Sequence, residues 1–281
     1  MTKHMRVAPP SLTLSDEDFE KISGFANDGF GLVLDASKKN MVLRRLSPHV
    51  RKIGLQSFAE YTKRLKQDEA ERLNLLSLLT TNLTHFFREK HHFDLMRKTA
   101  FPHLAQRLES GGRVRMWSCA CSSGEEPYSI AMEVCESIPS AMTANLKILA
   151  TDIDPEILRW AETGRYNQDQ IKGVPAHMRA KYFTESNNGD VTFSITPQIK
   201  KMIGFGQLNL PGEWPFQGEF DVIFCRNVAI YFSTKTQEIL WSRLVDRLPS
   251  GGLLFIGHSE RIAPSVSGKL RLLGRTAYQK I

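Results

Sequence analysis

The sequence predicts an α/β domain over residues 81–281, preceded by a small all-helical domain over residues 12–80. In the helical part, apolar residues recur at helical spacing. From residue 113 onward, short apolar segments alternate with amphipathic ones, which is the pattern of a mainly parallel sheet covered by helices on both faces. A β-rich segment, residues 182–200, interrupts this alternation. It predicts an antiparallel hairpin inserted into the α/β domain, a small β-subdomain that we bound at about residues 182–206.

The helical domain begins with a recognisable helix start. Ser15 stands three residues before Asp18, the spacing of a capping box, and Gly29 and Gly31 are expected to end this first helix. Leucines at helical spacing over residues 69–80 predict a helix at the end of the domain.

The most basic part of the chain is residues 37–53, where cations alternate with apolar residues as in an amphipathic helix. Pro48 is expected to interrupt or kink this helix near Leu46, because proline lacks a backbone N–H. Ser57 then opens another helix, with Glu60 at the capping-box position.

The α/β domain opens with a helix predicted over residues 90–109, which Gly111 and Gly112 should stop. The hairpin turn is predicted at Asn187-Asn188-Gly189. The predicted strands of the sheet are residues 113–118, 146–151, 202–207, 220–225, 251–257 and 271–279. The predicted helices between them are residues 124–137, 155–163 and 234–248.

Composition sets limits on the function. The net charge is +7, which favours an acidic partner such as nucleic acid, a membrane surface or an acidic protein, although basic surfaces also occur without one. No run of 18 apolar residues and no signal-peptide core is found, so we expect a cytoplasmic protein without a membrane span. Cys119 and Cys121 lie close together without a second pair or a histidine cluster, which predicts buried thiols and no metal site.

The most informative feature is a pair of segments, residues 117–131 and 146–154. The first is predicted to run from a strand through a turn of small residues into a helix, and the second is a strand that ends on acidic residues. This arrangement is typical of a nucleoside site.

The charges at this predicted site select among cofactors. Glu125 and Glu126 at the helix start would hinder a pyrophosphate, although they would also complement the helix dipole without any ligand. A cationic cofactor without phosphate, S-adenosylmethionine (SAM), fits better. Asp152 would accept hydrogen bonds from its ribose, or else be a turn or helix-cap aspartate before Asp154-Pro155.

Two further segments carry candidate site residues. In residues 220–232, apolar residues 220–225 predict a buried strand with Arg226 and Asn227 at its carboxyl end, the edge at which α/β sheets bind ligands. Asn227 is a candidate for the amino-acid part of the cofactor and Tyr231 for the reacting group, or else they are a helix cap and a core aromatic. Residues 80–89 interleave polar and apolar residues at the domain junction, where a segment can close over a ligand or simply start a helix.

Five motifs together resemble those of one family, the chemotaxis receptor methyltransferases (CheR). They are TTNLTHFFRE (80–89), WSCACSSGEEPYSIA (117–131), TDID (151–154), FCRNVAIYF (224–232) and GHSE (257–260), and they follow the family's order over about residues 12–279. The resemblance implies a Rossmann-like SAM-dependent methyltransferase domain with a helical N-terminal domain and an inserted β-subdomain. It also implies methylation of glutamate side chains on the cytoplasmic helical bundle of chemoreceptors, giving glutamyl methyl esters and S-adenosylhomocysteine (SAH). The enzyme would be a monomer that neither binds nucleic acid nor inserts into a membrane.

The resemblance also implies roles for individual residues. Arg88 and Tyr231 resemble the residues beside the transferred methyl group, which makes them the candidate catalytic residues. The loop around SNNGD is short beside that of members that dock on a receptor's C-terminal pentapeptide, which leaves such docking open. The basic segment resembles the receptor-contacting helix, with candidate docking residues Lys38, Arg44, Arg45 and Arg51. The implied cofactor contacts are Asn82, Thr84, Arg88, Glu126, Asp152, Asn209, Leu210, Asn227 and Val228.

Three alternatives to this function have distinct signatures. A nucleic-acid methyltransferase would carry an Asn-Pro-Pro-aromatic motif after the fourth strand, where this chain has CRNVAIYF. An NAD-dependent oxidoreductase would carry a GxGxxG turn, where this chain has CACSSG. The third is a non-catalytic receptor-binding adaptor on the same fold, and the intact set of polar residues favours an enzyme over it. The basic segment also fits a solvated helix face.

Overall fold

The computed structural model describes residues 12–80, 82–186 and 191–281. The chain divides into two compact units, Met1–Thr81 and Asn82–Ile281. The turn predicted at Asn187-Asn188-Gly189 lies outside the described residues. In the described part of the chain, no helix has both the length and the apolar character needed to cross a membrane.

The first unit is helical, as predicted. Its helices are α1 (Asp16–Phe30), α2 (Lys39–Lys52), α3 (Phe58–Gln67) and α4 (Glu69–Leu79), with a 3-10 turn at Ala36–Lys38. Both predicted caps are confirmed, since the hydroxyl oxygens of Ser15 and Ser57 accept from backbone N–H groups three residues on, at 3.0 and 3.2 Å. Gly31 ends α1 in the left-handed conformation, whereas Gly29 lies inside the helix, so that part of the prediction is wrong.

The basic helix α2 runs through Pro48, so the predicted interruption near Leu46 is wrong. Val42, Leu46 and Val50 are buried on one face, while Arg44 and Pro48 are exposed. Proline offers no N–H to the carbonyl of Arg44. Because that side of the helix faces water, solvent can bond to the carbonyl and the helix continues.

The second unit contains two sheets. Its strands are β1 (Val114–Cys119), β2 (Leu146–Asp152), β3 (Arg165–Asn167), β4 (Phe183–Ser186), β5 (Thr192–Ile195), β6 (Ile203–Gln207), β7 (Val222–Cys225), β8 (Leu253–Ile256), β9 (Leu270–Gly274) and β10 (Ala277–Lys280). The large sheet has the order β6-β2-β1-β7-β8-β10-β9, with β6, β2, β1, β7 and β8 parallel and β10 antiparallel to both of its neighbours. The mainly parallel sheet is therefore confirmed.

The helices of this unit cover and connect the strands. They are α5 (Lys90–Thr99), α6 (Phe101–Glu109), α7 (Glu125–Ser137), α8 (Pro155–Thr163), α9 (Ala176–Tyr182), α10 (Pro197–Lys200), α11 (Thr234–Asp246) and α12 (Pro264–Ser267), with a 3-10 turn at Ala229–Tyr231. The single helix predicted over residues 90–109 is two helices, because Pro102 sits in the first turn of α6 and cannot extend α5. The single strand predicted over 271–279 is the pair β9 and β10, which reverse at Thr276 (φ 54°).

The small sheet is antiparallel, with the order β3-β5-β4. Its bounds differ at both ends from the predicted subdomain of residues 182–206. β3 lies earlier in the chain and is only three residues long, too short to show a periodicity. β6 belongs to the large sheet, where it pairs with β2.

The order of the large sheet defines where a ligand can bind. From β1 the chain proceeds outward through β2 and β6 on one side, and through β7 and β8 on the other. The order in which the chain adds strands to the sheet switches sides between the parallel strands β1 and β7. In open α/β sheets, the crevice at the carboxyl ends of two such strands is the usual ligand site. Helix α7 is buried throughout from Glu125 to Cys135 and fixes the turn that follows β1.

Candidate active site

The turn between β1 and α7 is built from small residues in the left-handed conformation. Ala120, Ser122 and Gly124 have φ of 52°, 51° and 94°. The N–H of Ser122 donates to Oδ2 of Asp152 at 2.8 Å, which joins this turn to the end of β2. The other carboxylate oxygen, Oδ1, accepts from the N–H of Asp154 at 3.1 Å. The two segments that the sequence analysis paired are therefore in direct contact.

Asp152 itself is only 7% exposed, and burial raises its pKa, although the N–H groups of Asp154 and Ser122 oppose that shift. Asp154, not Asp152, caps α8, since its Oδ1 accepts from Glu156 N at 2.8 Å and Ile157 N at 3.2 Å. The helix-cap alternative for Asp152 is therefore wrong, while its bond from the N–H of Asp154, two residues on, is that of a turn aspartate. Each of its oxygens has a second lone pair that can accept from a ligand hydroxyl.

Glu126 takes part in a buried ion pair that joins three elements. Its Oε1 accepts from the hydroxyl of Ser118 at 2.6 Å, and its Oε2 accepts from Nε of Arg226 at 2.7 Å. The Arg226 side chain is 2% exposed, and its Nη1 donates to the carbonyl of Arg88 at 2.5 Å. Glu126 thus holds β1, α7 and the end of β7 together, and only its remaining lone pairs are available to a ligand.

Arg226 follows the strand whose carboxyl end the sequence points to, but it is not among the predicted site residues. Its signal was present, because an arginine directly after a strand as apolar as 220–225 is buried only if other groups compensate its charge. What the sequence did not show was which groups these are.

In the described part of the chain, three hydrogen bonds from side chains at this edge, or to them, hold the backbone of residues 82–88. The hydroxyl of Ser122 donates to the carbonyl of Asn82 at 3.1 Å, and the N–H of Phe87 donates to the hydroxyl of Ser129 at 2.9 Å. The third is the bond from Arg226 to the Arg88 carbonyl. These bonds bring the segment with the predicted residues Asn82, Thr84 and Arg88 to the end of β1 and β7.

The side chain of Arg88 is partly exposed and folds back along its own segment. Nη1 donates to the carbonyl of Leu83 at 3.0 Å. A guanidinium has five N–H donors, so most of them remain for another group.

Asn209 and Leu210 follow β6, next to the end of β2. The N–H of Leu208 donates to the carbonyl of Asp152 at 2.9 Å, and Gln207 pairs in register with Asp152. The carbonyl of Leu210 accepts from Nε1 of Trp214 at 3.0 Å. The pair therefore borders the same crevice as the β2 carboxylate.

Asn227 and Val228 follow β7. Asn227 has a φ of 60°, and its N–H and that of Val228 both donate to the carboxylate of Glu260. Val228 rather than Asn227 precedes the 3-10 turn that ends at Tyr231. Tyr231 is only half-buried, so it is not a core aromatic, and its N–H donates to the carbonyl of Val228 at 3.1 Å.

Family comparison agrees with this geometry over nearly the whole chain. Residues 82–279 match the model of the CheR methyltransferase SAM-binding domain, and residues 17–80 match that of the CheR methyltransferase all-alpha domain. The chain belongs to the CheR methyltransferase family. It is therefore a SAM-dependent methyltransferase of chemotaxis, and the resemblance found in the sequence is confirmed.

Relatives in this family are similar over most of their length. A probable chemotaxis protein methyltransferase of Rhizobium etli is 45% identical over 252 residues, which are 89% of this chain and 94% of the relative. Chemotaxis protein methyltransferase 2 of Pseudomonas aeruginosa is 38% identical, covering 93% of this chain and 92% of the relative. The chemotaxis protein methyltransferase of Escherichia coli is also 38% identical, covering 95% and 92%.

The residues at the crevice fit the methyl donor of the CheR methyltransferases. Glu125, Glu126 and Asp152 are all buried at this edge, and burial raises the pKa of Glu125 as it does that of Asp152. Carboxylates suit a cofactor that carries a sulfonium, an ammonium and a ribose diol, and they would repel a pyrophosphate.

One cluster in this unit has the composition of a metal site. Ligand-type atoms of Glu89, His91 and His92 lie within 4.8 Å of one another. The guanidinium of Arg226 lies 3.3 Å from Nδ1 of His92 and 3.7 Å from Oε2 of Glu89, where it supplies the positive charge that a metal would bring. Burial, together with the charges of Arg226 and His91, lowers the pKa of His92 to about 3. We therefore interpret the cluster as part of the Arg226 network.

The candidate docking residues lie in the first unit. Arg44 and Arg51 are exposed on α2, and Lys38 is exposed just before it. Arg45 differs, because its Nη1 donates to the carbonyls of Leu79 and Thr80, the latter at 3.0 Å. It thus closes the carboxyl end of α4, and its role in docking stays a prediction.

Proposed function

We propose that the chain transfers the methyl group of SAM to glutamate side chains on the cytoplasmic helical bundle of chemoreceptors, forming glutamyl methyl esters and SAH. Its relatives are named chemotaxis protein methyltransferases, and its motifs resemble those of a family that esterifies receptor glutamates. One observation carries the proposal. The segment bearing Arg88 is bonded both to the β1–α7 turn and to the end of β7, which supports placing a cation that could bind a carboxylate at the edge proposed for the cofactor.

The chemistry asks for orientation rather than for acid–base catalysis. When bound, SAM supplies a methyl group activated by a positively charged sulfur. A glutamate carboxylate is already a nucleophile and loses no proton, so the chain needs no general base. Arg88 would hold the carboxylate in line through paired N–H donors, and Tyr231 would donate one hydrogen bond. Stronger pairing would stabilise the ground state and slow the transfer.

The remaining residues of the predicted set would hold the cofactor. Asp152 would accept from the ribose hydroxyls, and Asn209 and Leu210 would border the adenine. The amino-acid part would lie near the other predicted contacts, which are Asn82, Thr84, Glu126, Asn227 and Val228. The buried carboxylates would compensate the cofactor's positive charges.

The test is a transfer assay with methyl-labelled SAM and purified receptor cytoplasmic fragments. The label should enter the receptor and be released by mild base, as an ester is and an N-methyl group is not. Arg88→Ala should lower the rate about 100-fold or more, because a misplaced reacting group costs that much, while folding is retained. Arg159→Ala on α8, whose side chain is 70% exposed, is the matched control. A base-stable label, or near-normal transfer by Arg88→Ala, would contradict the proposal.

Exposed cations of the first unit give the proposed partner a docking surface. Lys38, Arg44 and Arg51 suit an acidic helical bundle, since complementary charge speeds and orients encounter more than it adds affinity.

A further inference from the structure

We infer that Glu260 is a positioning residue for methyl transfer, because its carboxylate sets the conformation of the turn over residues 227–231. The inference rests on the proposed cofactor and substrate roles of that turn. In this role Glu260 touches neither the cofactor nor the receptor glutamate, and acts only by holding the turn in the conformation that those roles need.

The carboxylate of Glu260 accepts four backbone N–H groups. Oε2 accepts from Gly257 at 2.5 Å and Asn227 at 3.0 Å. Oε1 accepts from Val228 at 2.9 Å and Ala229 at 2.7 Å. One side chain at the end of β8 therefore binds three consecutive residues of the turn after β7.

This carboxylate is only 3% exposed, and burying a charge is costly unless other groups compensate it. Here the four N–H groups compensate it, so an anion-binding concavity of the backbone is filled by the chain's own side chain. Burial raises the pKa of Glu260, and these N–H groups oppose the shift. The charge stays in the interior only while the turn keeps its present conformation, so carboxylate and turn stabilise each other.

Asn227 is the strained residue that this arrangement holds. Its φ of 60° lies in the left-handed region, which costs energy for a residue with a side chain. A turn with an ordinary φ at this position would point the N–H groups of Asn227 and Val228 in other directions, and they would no longer converge on one carboxylate.

A second feature at the end of β8 acts on the same residue. A Cβ added at Gly257 would lie 2.8 Å from the backbone nitrogen of Asn227 and 2.9 Å from its Oδ1. Gly257 is not among the residues with positive φ, so its own backbone does not require glycine. Its missing side chain instead leaves room for Asn227. Residue 260 thus fixes this turn through hydrogen bonds, and residue 257 through the space that it leaves for Asn227.

The turn leads directly to the candidate catalytic tyrosine. The N–H of Ala229 is bonded to Glu260, and the N–H of Tyr231 to the carbonyl of Val228 at 3.1 Å. A rotation of the backbone at Asn227 would therefore displace Tyr231 as well.

The experiment compares Glu260→Gln and Gly257→Ala in the full-length chain. Glutamine keeps the shape but turns one acceptor oxygen into an NH₂ donor that faces N–H groups. Each variant should bind SAH about 10-fold or more weakly by calorimetry, the effect of one charge-assisted hydrogen bond left unsatisfied. With a receptor fragment, KM for SAM should rise and kcat should fall, while each variant still unfolds cooperatively.

Matched controls separate this effect from a loss of charge, of glycine or of stability. Glu238→Gln removes an exposed charge on α11, and Gly204→Ala adds a Cβ that meets nothing within 4 Å. Leu104→Ala destabilises the buried side of α6 without touching the turn. All three should bind SAH within about twofold of the unaltered protein.

The inference is overturned if Glu260→Gln folds and binds SAH within twofold of the unaltered protein, if Gly257→Ala does so, or if Leu104→Ala loses as much affinity at equal stability. Gly257→Ala decides alone if Glu260→Gln fails to fold, because it leaves the carboxylate in place. SAH binding is measured without receptor. A failure to methylate receptor glutamates would therefore refute the proposed function, while the SAH affinities of the variants would still test the role of Glu260.

Discussion

Replacing Arg226 by methionine should destabilise the second unit far more than the same change at an exposed arginine. Methionine keeps much of the side-chain length and removes the guanidinium. In the folded protein that guanidinium bonds to Glu126 and to the carbonyl of Arg88, and lies 3.7 Å from Oε2 of Glu89. Its loss leaves two buried carboxylates, those of Glu126 and Glu89, without their arginine partner.

The magnitude follows from that burial. The Arg226 side chain is 2% exposed, and those of Glu126 and Glu89 are each 10% exposed. Removing one partner of such a buried pair costs about 3–5 kcal/mol, because the other charge stays buried. For a unit of about 200 residues, 1 kcal/mol shifts the melting temperature by roughly 2–4 °C, so the expected drop is about 6–20 °C.

The assay is thermal unfolding of Arg226→Met beside Arg159→Met. Arg159 makes a single exposed ion pair with Glu156 at 3.3 Å, which is worth about 0–1 kcal/mol. Equal melting temperatures for the two variants would refute the reasoning. Adding Glu126→Gln to Arg226→Met should recover part of the loss, since it removes a buried charge.

The pH dependence of the Arg226→Met loss has a definite sign. Burial by itself raises the pKa of Glu89, but Arg226, His92 and His258 together hold it below its ordinary value. A carboxyl with a lowered pKa stabilises the fold above its unfolded pKa, and that stability is lost as the pH falls through the folded pKa. The difference in stability between the unaltered protein and Arg226→Met should therefore shrink as the pH falls below the ordinary glutamate pKa of 4.5.

Two further predictions concern the cofactor and the partner. Because burial raises the pKa of Asp152, its ionised form is lost at a higher pH than in an exposed aspartate, so SAH affinity should fall as the pH is lowered from 7, over a range that begins above the ordinary aspartate pKa of 3.8. Asp152→Asn should bind weakly throughout that range and lack this dependence, and a pH-independent Kd in the unaltered protein would contradict the assignment. Arg44→Glu with Arg51→Glu should lower kcat/KM for receptor fragments about 10-fold or more at low salt and much less at 0.5 M salt, with SAH affinity unchanged. Lys63→Glu with Lys66→Glu, exposed on α3, makes the same change in net charge, and an equal loss in that control would argue against docking through α2.

Local signals in the sequence were reliable. The caps at Ser15 and Ser57 lie where they were predicted, because a hydroxyl and an N–H three residues away interact in any helix start. β1 and β2 lie within one residue of their predicted bounds, since buried parallel strands appear as apolar runs. The predicted interruption of the helix at Pro48 was wrong, because the effect of a proline depends on which face of the helix meets water. That is a property of the fold and not of the local sequence.

The sequence by itself determined the α/β class, the cofactor type and the family, because each depends on residues close together in the chain. Only the tertiary structure decided what three charged residues do. Arg226 pairs with Glu126, which lies 100 positions away in the sequence. Glu260 binds the N–H of Val228, 32 positions away, and Arg45 binds the carbonyl of Thr80 at the end of α4, 35 positions away. A buried charge takes its role from the group that compensates it, and folding rather than proximity in the chain chooses that group.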